Sequence, residues 1–334
     1  MRSKNLASIA AIAVLFFMAA VLAVVGPTRA TALDNSHWGA NYFPNITLTT
    51  QDGRTVHFYD DLIKGKIVVI DLIYTHCVYS CPLETARLVQ VQKMLGDRVG
   101  KDIFFYSITI DPEHDTPEQL KQYAESYHTG PGWLFLTGKK EDIDLLSKKL
   151  GLYSPLSTRN RDGHVPAVLL GNESTGQWMR NSATDNPRFL ATLIGNWLNS
   201  WKNNQAQTQK SYAEAAPLNI DSKGRYIFAT HCAACHTIGH GDKIGPDLAG
   251  VTRIRERGWL EQFITTPDKM IAGNDPIAVE LFNKYKKVNM PNLRLAQVDV
   301  NALIDYMAAP VATEKGASAT AQSAEKEATL PNRQ

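Results

Sequence analysis

The sequence predicts an α/β domain followed by an all-α domain, behind an N-terminal apolar segment. Three observations carry this reading. The runs Lys66–Tyr74 (KIVVIDLIY) and Ile103–Ile110 (IFFYSITI) are β-branched and almost wholly apolar, as expected of strands buried on both faces. Segments with helical spacing alternate with them. From Leu218 to about Ala309 strand-like runs stop, and only helices and loops are expected.

In chain order, Pro82–Leu95 places Leu83, Ala86, Leu88, Val89, Val91 and Leu95 at helix-like spacing. Thr116-Pro117-Glu118-Gln119 reads as a capping box with proline at the first helical position, opening a helix that runs to Tyr127. Trp133–Leu136 is a short strand and Glu141–Leu150 a helix. Val165–Leu170 and Gln177–Arg180 form a hairpin around Asn172–Gly176, and Asn186–Trp201 closes the domain as a helix. The α/β domain is expected over 41–201 and the helical domain over 218–310. Residues 202–217, rich in Asn, Gln, Ala, Lys and Ser, form a linker. The stretch 311–334 has almost no large apolar side chains and is expected to be disordered.

Composition narrows the function classes. With 334 residues, roughly two domains fit. A hydrophobic content of 44% argues against a disordered chain. Lys+Arg number 35 against 33 Asp+Glu, a net charge of +2, so a strongly basic nucleic-acid binder is excluded. No phosphate loop and no nucleophile elbow is present, which leaves hydrolase and transferase readings without support.

Leu6 to Gly26 form 21 uncharged, mostly apolar residues after Arg2 and Lys4. That length suits a spanning helix of about 20 residues better than a signal-peptide core of about 7–15. Ala30-Thr31-Ala32 is nevertheless a small-x-small cleavage site. Residues 1–32 are therefore expected to be a membrane anchor or a signal peptide, and both place the remainder outside the cytoplasm. The expected location is the periplasm, anchored to the inner membrane or soluble after cleavage near Ala32. Cleavage would also remove Arg2, Lys4 and Arg29 and leave a charge of −1, so the slight basicity says nothing about partners.

The four cysteines fall as two close pairs. Cys232-Ala233-Ala234-Cys235-His236 is C-x-x-C-H, the c-type haem attachment pattern. Two thiols three positions apart on one helical turn can reach both vinyl groups of a porphyrin. His236 then points an imidazole nitrogen at the iron. The rival is a zinc half-site, which needs further ligands; His231 and His240 are near, but the domain has no second cysteine pair. The sixth ligand should be a soft side chain downstream, and Met290, in Val288-Asn289-Met290-Pro291-Asn292-Leu293 ahead of a helix over Gln297–Met307, resembles the Met-Pro loop of class I cytochromes c, which makes it the expected distal ligand. Met270, after Pro267, is the rival, and a methionine is often core packing.

These motifs, with Gly245-Pro246-Asp247-Leu248, resemble class I cytochromes c over residues 218–309. Lys223-Gly224 and Tyr226-Ile227-Phe228 fit that family's first helix. The resemblance implies covalent haem c on Cys232 and Cys235, with His236 proximal and Met290 distal, and a proline, Pro246, packed near the proximal histidine.

Cys77-Val78-Tyr79-Ser80-Cys81-Pro82 is C-x-x-x-C-P between a buried strand and a helix. Three readings are open: a static disulfide, a redox pair, and a soft-metal site. The dipole of a helix starting at Pro82 should lower the thiol pKa values. Two thiolates with one imidazole suit copper, and the imidazole must then come from elsewhere in the chain. The stretches Asp60–Lys66, Thr75–Pro82, Ser107–Pro112 with Asp115-Thr116-Pro117, and Pro131–Gly138 resemble the SCO/SenC family of copper-binding, thioredoxin-fold assembly factors for cytochrome oxidase. The resemblance covers about residues 41–200. It implies a thioredoxin-like fold and copper held by Cys77, Cys81 and His164. The chain departs from the family's Asp-His-Ser with Gly163-His164-Val165-Pro166. A proline before a strand suggests a cis Val165–Pro166 bond and a site tuned toward thiol exchange. His76 is a spare imidazole, Asp111 a carboxylate that helps shape the site, and His114 a solvated loop residue.

The expected function is an exported copper-binding redox protein for assembly of the copper centre of cytochrome oxidase, with haem c for one-electron transfer. His/Met ligation raises a haem potential while protein disulfides lie low, so electrons should run from the cysteine pair or Cu(I) toward the haem. Expected partners are a cytochrome oxidase copper subunit or another copper or thiol client, an electron-transfer partner and the membrane through the anchor, but no nucleic acid. Two alternatives stand beside this: a thiol–disulfide oxidoreductase coupled to haem, and an electron carrier tethered to a vestigial copper domain.

Overall fold

The two strands expected to be buried on both faces lie side by side in the interior of a seven-stranded mixed sheet. A computed structural model of the chain describes residues 38–152, 167–198 and 222–309. The apolar segment 1–32, the linker 202–217, the tail 311–334, His164 and the Val165–Pro166 bond lie outside these. No helix among the described residues is long and apolar enough to cross a membrane.

The α/β domain contains strands β1 (Thr47–Thr50), β2 (Thr55–His57), β3 (Ile67–Ile73), β4 (Ile103–Thr109), β5 (Trp133–Gly138), β6 (Ala167–Asn172) and β7 (Gln177–Ser182). Helices α1 (Cys81–Leu95), α2 (Pro117–Ser126), α3 (Lys140–Lys149) and α4 (Pro187–Thr192) join them. The sheet order is β2-β1-β5-β4-β3-β6-β7. β3 pairs parallel with β4, and β4 with β5, while β6 runs antiparallel to β3. Every residue of β3 is buried. Its alternation sends Ile67, Val69 and Ile73 into one half-core with α1, and Val68, Ile70 and Leu72 into the other with Phe43, Leu48 and Phe58. The Thr116 hydroxyl accepts from the Gln119 N–H, so the expected N-cap of α2 is present.

Two features differ from the sequence reading. β1 and β2 were not expected, because four and three Thr-rich residues at a sheet edge give almost no apolar pattern. The closing helix, expected over Asn186–Trp201, is not regular α-helix throughout: Pro187–Thr192 continues as a wide turn over Leu193–Trp197, and residues 199–201 lie outside the described residues.

The second domain is all-helical: α5 (Lys223–Ile227), α6 (Val251–Ile254), α7 (Arg257–Thr265), α8 (Pro267–Ala272), α9 (Pro276–Lys284) and α10 (Gln297–Ala308). Ile227, Phe228, Leu260, Ile264, Val300, Leu303, Ile304 and Met307 form its core. α5 crosses α10 at Gly224, where an added Cβ would lie 2.0 Å from the Ala302 carbonyl oxygen and 2.6 Å from Tyr306 Cβ. Gly224→Ala should therefore force the helices apart and cost about 3 kcal/mol, at the upper end of overpacking penalties. Urea unfolding followed through the haem-domain signal measures this; an unchanged midpoint would refute it.

The two domains touch. Ala234, 3% exposed, lies in the apolar cluster of Leu88, Val91, Tyr123 and Tyr127, with Cys235, Ile244, Val288 and Leu293 packed against it. Arg87 on α1 donates from Nη2 to the Thr230 carbonyl at 2.6 Å.

Candidate functional site

The cysteine pair sits at the junction of β3 and α1, in a loop held from below. Asp115 is fully buried. Its carboxylate accepts from the Thr75 N–H at 3.1 Å, from the Thr75 hydroxyl at 2.5 Å, and from the Thr109 hydroxyl. Thr109 ends β4, so Asp115 ties the start of the Cys loop to the neighbouring parallel strand. The sequence reading named this residue only within the family-like stretch Asp115-Thr116-Pro117 and gave it no role. The Cys77 N–H then turns back onto the Tyr74 carbonyl at 3.2 Å.

Cys81 is the first residue of α1, with Pro82 second. Both cysteines are free thiols, 1% and 0% exposed. The sequence led us to expect both to be lowered by the helix dipole, but the two diverge. A hydrogen bond from the Cys81 side chain, aided by the backbone of Tyr79 and Cys81, pulls Cys77 down to about 6. Complete burial, together with the Cys77 sulfur, pushes Cys81 well above the ordinary thiol range. Of the two, Cys77 is thus the more readily deprotonated, and Cys81 is the hydrogen-bond donor to it.

Asp111, nearly buried, bridges two imidazoles. His114 Nδ1 lies 3.0 Å from its Oδ1 and His76 Nε2 3.5 Å from its Oδ2. Its N–H donates to the Thr109 hydroxyl at 3.0 Å. His76 is half-exposed and stacks edge-on against Tyr74, with ring centroids 4.8 Å apart. Among the described residues, no three His, Cys, Asp or Glu side chains form a group that could hold a metal ion.

In the helical domain, a wide turn over Phe228–Cys232 brings the chain into the C-x-x-C-H motif. The N–H groups of Cys235 and His236 then bond the Cys232 carbonyl at 3.0 and 2.9 Å, closing one helical turn. Cys232, Cys235 and His236 line a cavity of about 370 Å³ with Ile244, Pro246, Leu248, Trp259, Met290 and Met307. The cavity thus gathers two thiols, one imidazole and one thioether within apolar walls. Met270 is 6% exposed and does not line it, so the rival methionine is core packing. His231 and His240 do not line it either.

His236 is oriented by the loop that follows. Its Nδ1 meets the Pro246 carbonyl at 2.9 Å, which leaves Nε2 directed elsewhere. Gly245 is required for this approach: a Cβ there would lie 2.6 Å from His236 Cε1. Asp247 pins the loop by accepting from the N–H groups of Gly239 at 2.8 Å, Gly241 at 2.6 Å and Ala249 at 2.9 Å. Those bonds, led by that from Gly239, hold its carboxyl at about 2. A lowered carboxyl pKa stabilises the folded loop above the ordinary value near 4 and loses that contribution as pH falls toward 2. Asp247→Asn should therefore flatten the acid unfolding transition between about pH 4 and pH 2. Circular dichroism of an acid titration measures it, and an identical transition in the variant would refute it.

The Met290 segment reaches the Cys loop. The Asn292 N–H donates to the Val78 carbonyl at 2.8 Å, and Asn289 Nδ2 to the Cys77 carbonyl at 3.4 Å. Neither asparagine had any sequence signal. Between the two cysteine pairs lie Tyr123 and Tyr127, with ring centroids 4.7 Å apart; the Tyr123 and Thr85 hydroxyls are 2.9 Å apart.

Comparison with known proteins gives two family matches. The model described as SCO1/SenC matches residues 36–175, and that described as Cytochrome c matches residues 222–309. The chain is 38% identical over 94 residues to the SCO1 protein homolog of Bacillus subtilis, covering 28% of this chain and 47% of that protein. It is 32% identical over 108 residues to the mitochondrial protein SCO2 of Saccharomyces cerevisiae, covering 32% of this chain and 35% of that protein. The chain thus spans about half or less of the length of these curated relatives. Among solved structures, a SCO1/SenC family lipoprotein from Bacillus anthracis is similar at 27% identity and TM-score 0.40, covering 48% of this chain and 96% of that one. Copper-bound ScoI of Bradyrhizobium japonicum is similar at 25% identity and TM-score 0.37, covering 45% and 94%.

Proposed function

Since this chain joins a SCO1/SenC domain to a cytochrome c domain, we propose that it is an exported copper-binding redox protein serving assembly of the copper centre of cytochrome oxidase. The observation that carries this is the thiol pair. Two soft sulfur donors, one already a thiolate at about 6, meet in a buried loop that Asp115 fixes to the sheet. Cys77 and Cys81 would hold copper, and His164 supplies the third donor. The copper is cargo for a copper subunit or another copper or thiol client.

The second cavity fits haem c. Its thiols, imidazole and thioether suit the two thioether bonds and two axial ligands, and the missing Cβ of Gly245 leaves room for the His236 ring. Cys232 and Cys235 would carry the thioethers, His236 the proximal bond and Met290 the distal bond. Bound haem supplies a one-electron Fe(III)/Fe(II) couple. The protein's own groups set its surroundings: the Pro246 carbonyl fixes the His236 tautomer, and apolar side chains exclude water. The apolar cluster at Ala234 packs Cys235, which would hold the haem, against α1, the helix that Cys81 opens, and this supports electron exchange within the chain. Membrane anchoring by residues 1–32, or their cleavage near Ala32, completes the proposal, with a periplasmic location and a separate electron-transfer partner.

Metal analysis of the full-length exported protein tests the reading. The parent should retain about one copper per chain, and Cys77→Ser, Cys81→Ser and His164→Ala should each lose it while keeping the haem spectrum. Copper retained after either cysteine change would overturn it.

The split between the two thiols favours a second reading, thiol–disulfide exchange coupled to haem. A thiolate at Cys77 beside a buried, protonated Cys81 is the arrangement of an attacking and a resolving thiol. Cys81→Ser should then trap a mixed disulfide through Cys77 with the client, visible on a non-reducing gel.

A further inference from the structure

The two cysteines of the first pair differ in freedom. Cys81 opens a 15-residue helix whose apolar face fills the core, so it cannot move without the helix. Cys77 lies in the preceding loop. A disulfide needs the sulfurs about 2.05 Å apart, much closer than a hydrogen-bonded thiol pair. Closing or opening the pair must therefore be accommodated by residues 77–80.

That stretch is where the haem domain lands. Asn289 Nδ2 reaches the Cys77 carbonyl, the Asn292 N–H reaches the Val78 carbonyl, and the Arg294 guanidinium lies 5.1 Å from the centroid of the Tyr79 ring. Three successive residues of the Cys loop are thus each held by one contact from 289–294. The segment is stiff. Asn292 Nδ2 donates to Asp268 Oδ1 at 2.8 Å, and its Oδ1 accepts the Arg294 N–H at 3.1 Å. Arg294 holds a left-handed backbone, φ 52°, which a non-glycine residue adopts only when its surroundings enforce it. Met290 lies inside this segment and lines the cavity together with its neighbours Asn289 and Pro291.

We propose that Asn289, Asn292 and Arg294 are positioning residues that couple the Cys77–Cys81 pair to Met290. Closing the pair shifts the Val78–Tyr79 loop, the three contacts carry the shift into the 289–294 segment, and the seating of Met290 on the haem changes with it. The inference rests on the haem and Met290 reading given above, but not on copper. It meets the requirement for coupling between sites: a pair with two states, and a second site tied to the element that differs between them.

The test uses the full-length, haem-loaded protein after chelation of copper. In one sample dithiothreitol leaves the pair as thiols and is removed without air. In the other, diamide, an azo compound, takes two electrons and two protons from the pair, giving the disulfide and the hydrazine. Ascorbate then brings the haem of both samples to Fe(II). The readout is the ring-current-shifted methyl proton resonance of Met290, with amide exchange of residues 289–294 alongside. The resonance should differ between the thiol and disulfide forms of the parent. In N289A/N292A/R294A the two forms should give one position, with the methyl still shifted by the haem. R294A alone, which changes only a surface side chain, should reduce the difference if the triple variant does not fold. A parent resonance blind to the state of the pair, or a difference that survives in the variants, overturns the coupling. A spectrum with no ring-current-shifted methionine methyl overturns the Met290 assignment itself, and the coupling with it.

Discussion

Met290→Ala is expected to lower the haem potential by on the order of 0.1 V or more, within the span of about 0.8 V that axial ligation sets. The thioether is a poor donor to Fe(III), so its loss stabilises the oxidised form. The geometry predicts a specific effect. Met290 lines the cavity together with Cys232, Cys235 and His236, while Met270 is packed away from it. Met270→Leu should leave the potential within a few tens of millivolts of the parent, since a volume-conserving core change costs little. Potentiometric titration of both variants separates the two methionines; an unchanged potential in Met290→Ala would exclude it as the distal ligand.

Asp115→Ala should cost about 3–4 kcal/mol of stability, because a buried carboxylate accepting several hydrogen bonds is removed and the Thr75 and Thr109 donors are left without an acceptor. The loss is local in origin. With Asp115 gone, nothing of equal strength holds Thr75 to the end of β4, so the Cys77 loop loosens. Copper retention should fall together with the urea midpoint, and Asp115→Asn, which keeps one acceptor oxygen, should recover part of both. Full stability in Asp115→Ala would show that the network contributes nothing.

Much of this architecture was legible in the sequence, for identifiable reasons. Ile67–Ile73 is buried along its whole length, and only a central strand can use so continuous a β-branched run. The C-x-x-C-H motif is a local pattern whose chemistry fixes its geometry, and Met290 was picked out by the proline after it. What failed to show was set by tertiary contacts. β1 and β2 owe their pairing to β5 and to each other rather than to any apolar alternation of their own. The separation of the two thiol pKa values depends on Cys81 being completely buried, whereas the sequence offered only the helix dipole common to both. Asp111 was read as a carboxylate that helps shape the site, and the structure has it bridging His76 and His114. The contacts of Asn289, Asn292 and Arg294 join positions more than two hundred residues apart, which no spacing within either domain could signal.

The burial of Ala234 makes the C-x-x-C-H motif two-sided. This alanine lies between Cys232 and Cys235 and is covered in the cluster shared with α1 and α2, while both cysteines stay partly exposed. Under the haem reading proposed above, thioether bonds at Cys232 and Cys235 would form from the cavity side. Docking of the two domains therefore covers the back of the motif and leaves its cavity face, lined by Cys232, Cys235 and His236, on the other side.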